Sequence, residues 1–232
     1  LYPALLSLLP LVIAAMITIG HELELVGYAA MAAAGCGMLY WMTGVTRDKG
    51  KAMEPALFSA WGGKPSVQLL RHRNDGIDVI TKARLHRLIE ARLQVHFPSP
   101  DSEAAAPAEA DRLYESATRW LLEQTRDTNK HPLLFTENIS YGFRRNMLGV
   151  RTIGVISSLL AAAWLALDGG RERPMNMAGL LDQFLAMPPA HRLAFLACVG
   201  LAMAWRFGVS EARVRTAAFA YAERLIAACE GL

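Results

Sequence analysis

The sequence predicts an all-α integral membrane protein, with two transmembrane helical hairpins flanking a helical cytoplasmic domain. Three observations carry that expectation. Apolar residues make up 53% of the 232-residue chain, above the roughly 45–50% of an ordinary soluble domain. The excess is gathered into four blocks rather than spread evenly. Basic residues collect between the second and third blocks, and no period-two strand pattern, internal repeat or long low-complexity tract interrupts the helical periodicities.

The first block, Pro3 to Gly20, is uncharged and holds one proline, Pro10, which a membrane helix tolerates, often with a kink. It lacks a basic start and a convincing A-x-A site, so it is expected to be a retained helix rather than a signal peptide. The second block, Leu25 to Val45, has 21 uncharged residues. At about 1.5 Å per residue that is roughly 31 Å, the thickness of a hydrocarbon core. The link His21-Glu22-Leu23-Glu24 allows only a tight hairpin. The third block runs from about Met147 to Leu167, with Arg151 near its start, where it can snorkel. The fourth, Leu193 to Trp205, is short. It spans only if Arg206 snorkels and Phe207-Gly208-Val209 prolong the helix. Before it, Ala178 to Pro189 reads as an interfacial or re-entrant piece. The expected boundaries are 1–45 for the first hairpin, 46–146 for the cytoplasmic domain, 147–209 for the second hairpin and 210–232 for a C-terminal amphipathic helix.

Charge sets the orientation. Residues 46–148 hold 16 of the 24 Lys and Arg residues, the first link none, the second link (168–192) three and the tail from Arg206 four. By the positive-inside rule both termini and the central domain are expected to be cytoplasmic. Small residues recur at helical spacing: Ala30 with Ala34, Ala33 with Gly37, and Gly200, Ala204 and Gly208. Such faces permit close helix approach within a chain or between copies, hence an expected homo-oligomer, although alanine-rich helices also produce these pairs by chance.

The cytoplasmic domain reads as helical. A short helix at Leu57 to Trp61 follows Pro55 and is broken by Gly62-Gly63-Lys64-Pro65. An amphipathic helix with a basic face covers Asp78 to Val95, and a proline-rich acidic linker covers 97–108. A second amphipathic helix covers Glu109 to Asp127.

Little in the sequence argues for a particular chemistry. A net charge of +3 gives no reason to invoke nucleic acid. Cys36, Cys198 and Cys229 are scattered and lack metal spacing, and the six histidines form no H-E-x-x-H pair. No phosphate loop or G-x-S-x-G turn occurs, so no catalytic residue, metal or cofactor is expected, and the chain is not read as an enzyme. No acidic residue lies mid-membrane, so the proton-carrying carboxylate of a transporter is missing. Thr18, Thr43, Ser157 and Ser158 are expected to bond their own helix backbones.

Two segments look more specified than their surroundings. One joins Trp61-Gly62-Gly63-Lys64-Pro65 to Arg71-His72-Arg73; the other is Glu137 to Asn146, with Asn138, Arg144 and Arg145. Guanidinium groups, glycines and aromatics together can bind an anionic ligand or a protein partner. Arg144 and Arg145 also sit at the mouth of a membrane helix, where topology alone places positive charge. Arg71 to Arg73 also suit a salt-bridged surface turn. A single site beneath the membrane, uniting both segments, is the sharpest expectation.

The order of hairpin, domain of about a hundred residues, hairpin and short tail is similar to flagellar stator and biopolymer-transport membrane subunits. It also resembles small bacterial membrane effectors of anti-phage defence, a likeness of architecture that rests on no motif. The latter resemblance implies a cytosolic domain that senses a signal and helices that oligomerise or perturb the bilayer. The former implies a scaffold or channel subunit of a larger machine. A membrane-interface enzyme is a third possibility.

Overall fold

The computed structural model describes residues 1–20, 23–170 and 179–232. The described residues form helices and no strand, as the sequence predicts. In order these are α1 (Tyr2–Thr18), α2 (Leu25–Trp61), α3 (Pro65–Leu70), α4 (Val79–Leu93), α5 (Pro100–Ala105) and α6 (Pro107–Gln124). There follow α7 (Pro132–Gly149), α8 (Arg151–Gly169), α9 (Leu180–Ala186), α10 (Pro189–Met203), a π-helical turn (Ala204–Gly208) and α11 (Glu211–Ala227). Proline is the first residue of α3, α5, α6, α7 and α10, where its fixed φ suits a helix start and its missing N–H costs nothing. Asp78 caps α4 by accepting from the Thr81 N–H at 2.9 Å.

The chain divides into two compact units, residues 1–52 with 145–210 and residues 53–144 with 211–232. In the first unit α1, α8 and α10 pack together around Ala14, Ala161, Ala162, Leu165, Ala194 and Cys198. Helix α1 turns Ala4, Ser7, Pro10, Ala14 and Thr18 inward, a helical spacing of small residues that lets neighbours approach closely. The hydroxyls behave as expected. Thr18 bonds the Ala14 carbonyl at 3.0 Å, Thr43 that of Tyr40 at 2.6 Å and Ser158 that of Gly154 at 2.7 Å. Ser157 also reaches across to the Ser7 carbonyl at 2.7 Å, joining α8 to α1. His191 meets Asp168 at 3.1 Å and ties the start of α10 to the end of α8.

Two helix boundaries move from where the sequence placed them. Helix α2 does not stop at Val45 or restart after Pro55 but runs unbroken to Trp61. The run Thr46 to Lys51 is compatible with a helix, and Pro55 removes only one backbone bond. The expected break at Gly62 and Gly63 is where the helix ends, at φ values of +85° and +127° that suit glycine alone. The polar stretch Glu137 to Asn146 lies inside α7, and the third apolar helix begins at Arg151.

Among the described residues two helical stretches are long and apolar enough to cross a membrane, Leu25–Leu70 and Arg151–Gly169. Pro189–Gly208 passes only if joined to the following helix, and α1, with 17 residues, is shorter. The apolar part of α2 is almost wholly exposed, with Leu25, Val26, Met38 and Tyr40 all open. Residues 21–22 and 171–178 lie outside the described residues, so part of each expected link does too, with His21. The described part of the expected interfacial piece 178–189 contains α9.

Of the small residues singled out in the sequence, Ala30, Ala34, Gly37 and Ala204 are exposed. A Cβ at Gly37, Gly200 or Gly208 would meet nothing within 4 Å. None of them forms a seam within the described chain.

Candidate functional site

The second unit is organised by a buried carboxylate. The segment 97–108, read from sequence as a linker, folds partly into α5, and its Glu103 is only 1% exposed. Glu103 accepts from the His72 N–H at 2.8 Å, the Arg73 N–H at 3.3 Å, the Arg73 guanidinium at 3.0 Å and the Tyr114 hydroxyl at 2.8 Å. Burial alone would raise its pKa, but these donors outweigh it and hold the carboxyl below the usual carboxylate range.

Arg71 sets its planar edge on Asp111 with two bonds of 2.7 Å and donates to the Gly62 carbonyl at 2.8 Å. His72 Nε2 donates to the Pro98 carbonyl at 3.0 Å. Buried Lys82 caps the same turn by donating to the carbonyls of Arg71 and Asn74. His86 Nε2 donates to the Leu70 carbonyl at 2.8 Å, inside a cluster of His72, Phe97 and Tyr114 rings. Burial pushes the His86 imidazole down from its ordinary value.

Beside this core the same unit contains a cavity of about 290 Å³, at the small end of the range for ligand pockets. Two helices build its walls at one-face spacing: Glu115, Thr118, Arg119 and Leu122 on α6, and Ala218, Tyr221, Ala222 and Leu225 on α11. Phe58 and Glu54 come from α2, Lys64, Pro65 and Ser66 from the start of α3, and Tyr141 from α7. Ala222 and Leu225 belong to the hydrophobic core, so one wall is the core itself. Tyr141 and Tyr221 stack with planes 3° apart and centroids at 6.2 Å, and the Tyr141 hydroxyl donates to Glu54 at 2.9 Å. At the rim Lys64 pairs with Glu115, which also takes Arg119 at 3.4 Å. The Lys64 ammonium holds the Glu115 carboxyl below its ordinary range.

The two segments singled out in the sequence thus meet at this cavity, through Lys64 and Tyr141. Arg71, His72, Arg73, Glu137, Asn138, Arg144 and Arg145 are not among its lining residues. Arg71 and Arg73 turn to Asp111 and Glu103, whereas Arg144 donates to the Arg213 carbonyl at 3.2 Å, so the two arginine groups share no partner. Arg145 bonds the Asn146 side chain at 3.1 Å, Glu137 is half-buried and Asn138 is exposed. Sequence reasoning did not single out Glu54, Phe58, Glu115, Arg119 or Tyr221. The i, i+3, i+4, i+7 spacing on α6 and α11 was readable, but it signals a packed face as readily as a pocket wall. No group of histidine, cysteine and acidic side chains suited to a metal occurs among the described residues.

No protein-family model, characterised protein or solved structure matches this chain. The geometry therefore defines a class only, an all-helical protein with membrane-length apolar helices and a small half-open cavity in its more polar unit.

Proposed function

We propose that this chain is a self-associating protein of the bacterial inner membrane, with both termini cytoplasmic. A small ligand entering the cavity controls what its apolar helices do in the bilayer. The carrying observation is the cavity, which collects side chains from four separated stretches of chain and mixes an apolar wall with four charged groups. Pockets of that composition position a ligand by shape and select it by a few polar contacts. The basic-residue asymmetry supports the orientation, and the apolar lengths of α2 and α8 support the membrane assignment.

In this reading the Arg71–Asp111 and Arg73–Glu103 pairs hold the cavity wall in place, since α6 carries both Asp111 and the lining residues Glu115 to Leu122. A scaffold or channel-subunit role is the second reading, favoured by the exposed apolar stretch of α2.

The test uses the full chain in lipid nanodiscs. A small-molecule fraction of bacterial cytosol should raise its melting temperature, and Leu122→Trp, which fills the cavity from a half-open position, should abolish the rise. An equal rise in both proteins, or none in either, would sink the ligand-controlled reading.

A further inference from the structure

We infer that the cavity takes a ligand with an anionic head, a carboxylate or phosphate, on a compact apolar or aromatic body, and that the head displaces Glu115 from Lys64 and Arg119. This rests on the cavity being a binding site. The body follows from the walls, where Phe58, Leu122 and Leu225 supply apolar surface and the parallel Tyr141 and Tyr221 rings a flat one. The head follows from the rim. There a single carboxylate, Glu115, serves two cations unequally, closely paired to Lys64 but 3.4 Å from Arg119. One carboxylate between two cations leaves that edge with a net positive charge.

The side chains of Lys64 and Arg119 are 48% and 77% exposed, so both are accessible to an incoming group. Arg71 differs, because its carboxylate partner meets it edge to edge and its side chain is mostly buried. The other acid of the lining, Glu54, lies on α2 and accepts from the Tyr141 hydroxyl, so the lining as a whole is balanced and only the α3–α6 edge favours an anion. A guanidinium freed of its weak partner offers a planar fork suited to carboxylate or phosphate. Ser66, in the same lining, adds a hydroxyl donor.

The full chain in phosphatidylcholine nanodiscs is titrated calorimetrically with phenylpropionate, phenylpropylamine and phenylpropanol, with empty nanodiscs as the blank. Phenylpropionate should bind most tightly, and Lys64→Gln and Arg119→Gln should each weaken it about tenfold or more, the scale of one charged hydrogen bond. Glu115→Gln should strengthen phenylpropionate, because it removes the internal competitor. Tighter binding of phenylpropylamine, no binding of phenylpropionate, or weaker phenylpropionate binding in Glu115→Gln would overturn the inference. Binding of all three probes that survives Leu122→Trp would instead refute the cavity as the site. Phosphatidylglycerol added to the nanodiscs separates the sources of the anion. Competition with phenylpropionate that Arg119→Gln abolishes identifies a lipid head group, and unchanged binding identifies a soluble anion.

Discussion

Glu103 is a charge taken out of water, and it is tolerable only because four donors from three different residues converge on it. Glu103→Gln keeps the shape but removes the charge that pairs Arg73. Because Arg73 is half-exposed, the change should cost about 1.5–3 kcal/mol, the range for hydrogen bonds to a charged group, measurable by denaturant unfolding in detergent. The carboxyl's depressed pKa means its contribution is complete above about pH 4.5 and drains away as pH falls through the lower folded value. His86 titrates with the opposite charge but the same pH trend. Above about pH 6.5 it is neutral in both states; below that, the unfolded chain takes up a proton that the buried ring resists, so stability falls. His86→Gln retains a donor for the Leu70 carbonyl and should flatten the stability profile between about pH 7 and 5. An unchanged slope would show that another group carries it. At this scale the sequence was half legible. The Arg71-His72-Arg73 turn announced itself, but its partners Glu103 and Asp111 lie 30 and 40 positions away. Nothing local marks Glu103 as buried in a segment rich in proline, alanine and acid.

Helix contacts in the first unit depend on two glycines. A Cβ at Gly154 would stand 2.2 Å from the Trp205 ring, and one at Gly149 would stand 2.6 Å from the backbone nitrogen of Gly50. The indole could swing aside, but a backbone crossing cannot. Gly149→Ala should therefore destabilise the unit by about 1–3 kcal/mol, the usual cost of overpacking, read as a lower melting temperature in detergent. Gly37→Ala, where a Cβ meets nothing, is the control. The sequence had marked Gly37, Gly200 and Gly208 and passed over Gly149 and Gly154. Spacing shows where close approach is permitted, whereas use of a site depends on which helices meet. The longer helices were legible from apolar length and amphipathic spacing, whereas α5 lay in a segment that read as a linker. The unbroken α2 and the continuation of α7 through the polar stretch to Gly149 were not legible, because a proline or a polar run inside a helix is a cost that packing can override.

For the whole molecule, two outcomes test the proposed arrangement. Asp101→Cys should resist an impermeant maleimide applied outside intact cells and react once the membrane is opened; labelling from outside would reverse the topology. Ala34→Leu and Gly37→Leu sit on exposed helix surface and so should leave the protomer folded. If α2 joins copies they should reduce the native mass in detergent, and Gly200→Leu asks the same of α10. The sequence by itself determined the helical class, two of the four expected blocks as membrane-length apolar helices, and the distribution of basic charge. Each of these is a sum over neighbouring residues, and periodicity and hydropathy record such sums directly. Tertiary structure alone decided that Glu103 is the buried hub, that α11 joins the same unit as residues 53–144, and that Lys64 and Tyr141, rather than Arg71 and Arg144, line a common cavity. These depend on which distant segments the hydrophobic core draws together. A pattern read along the chain holds no distance between residues that meet only when the core closes.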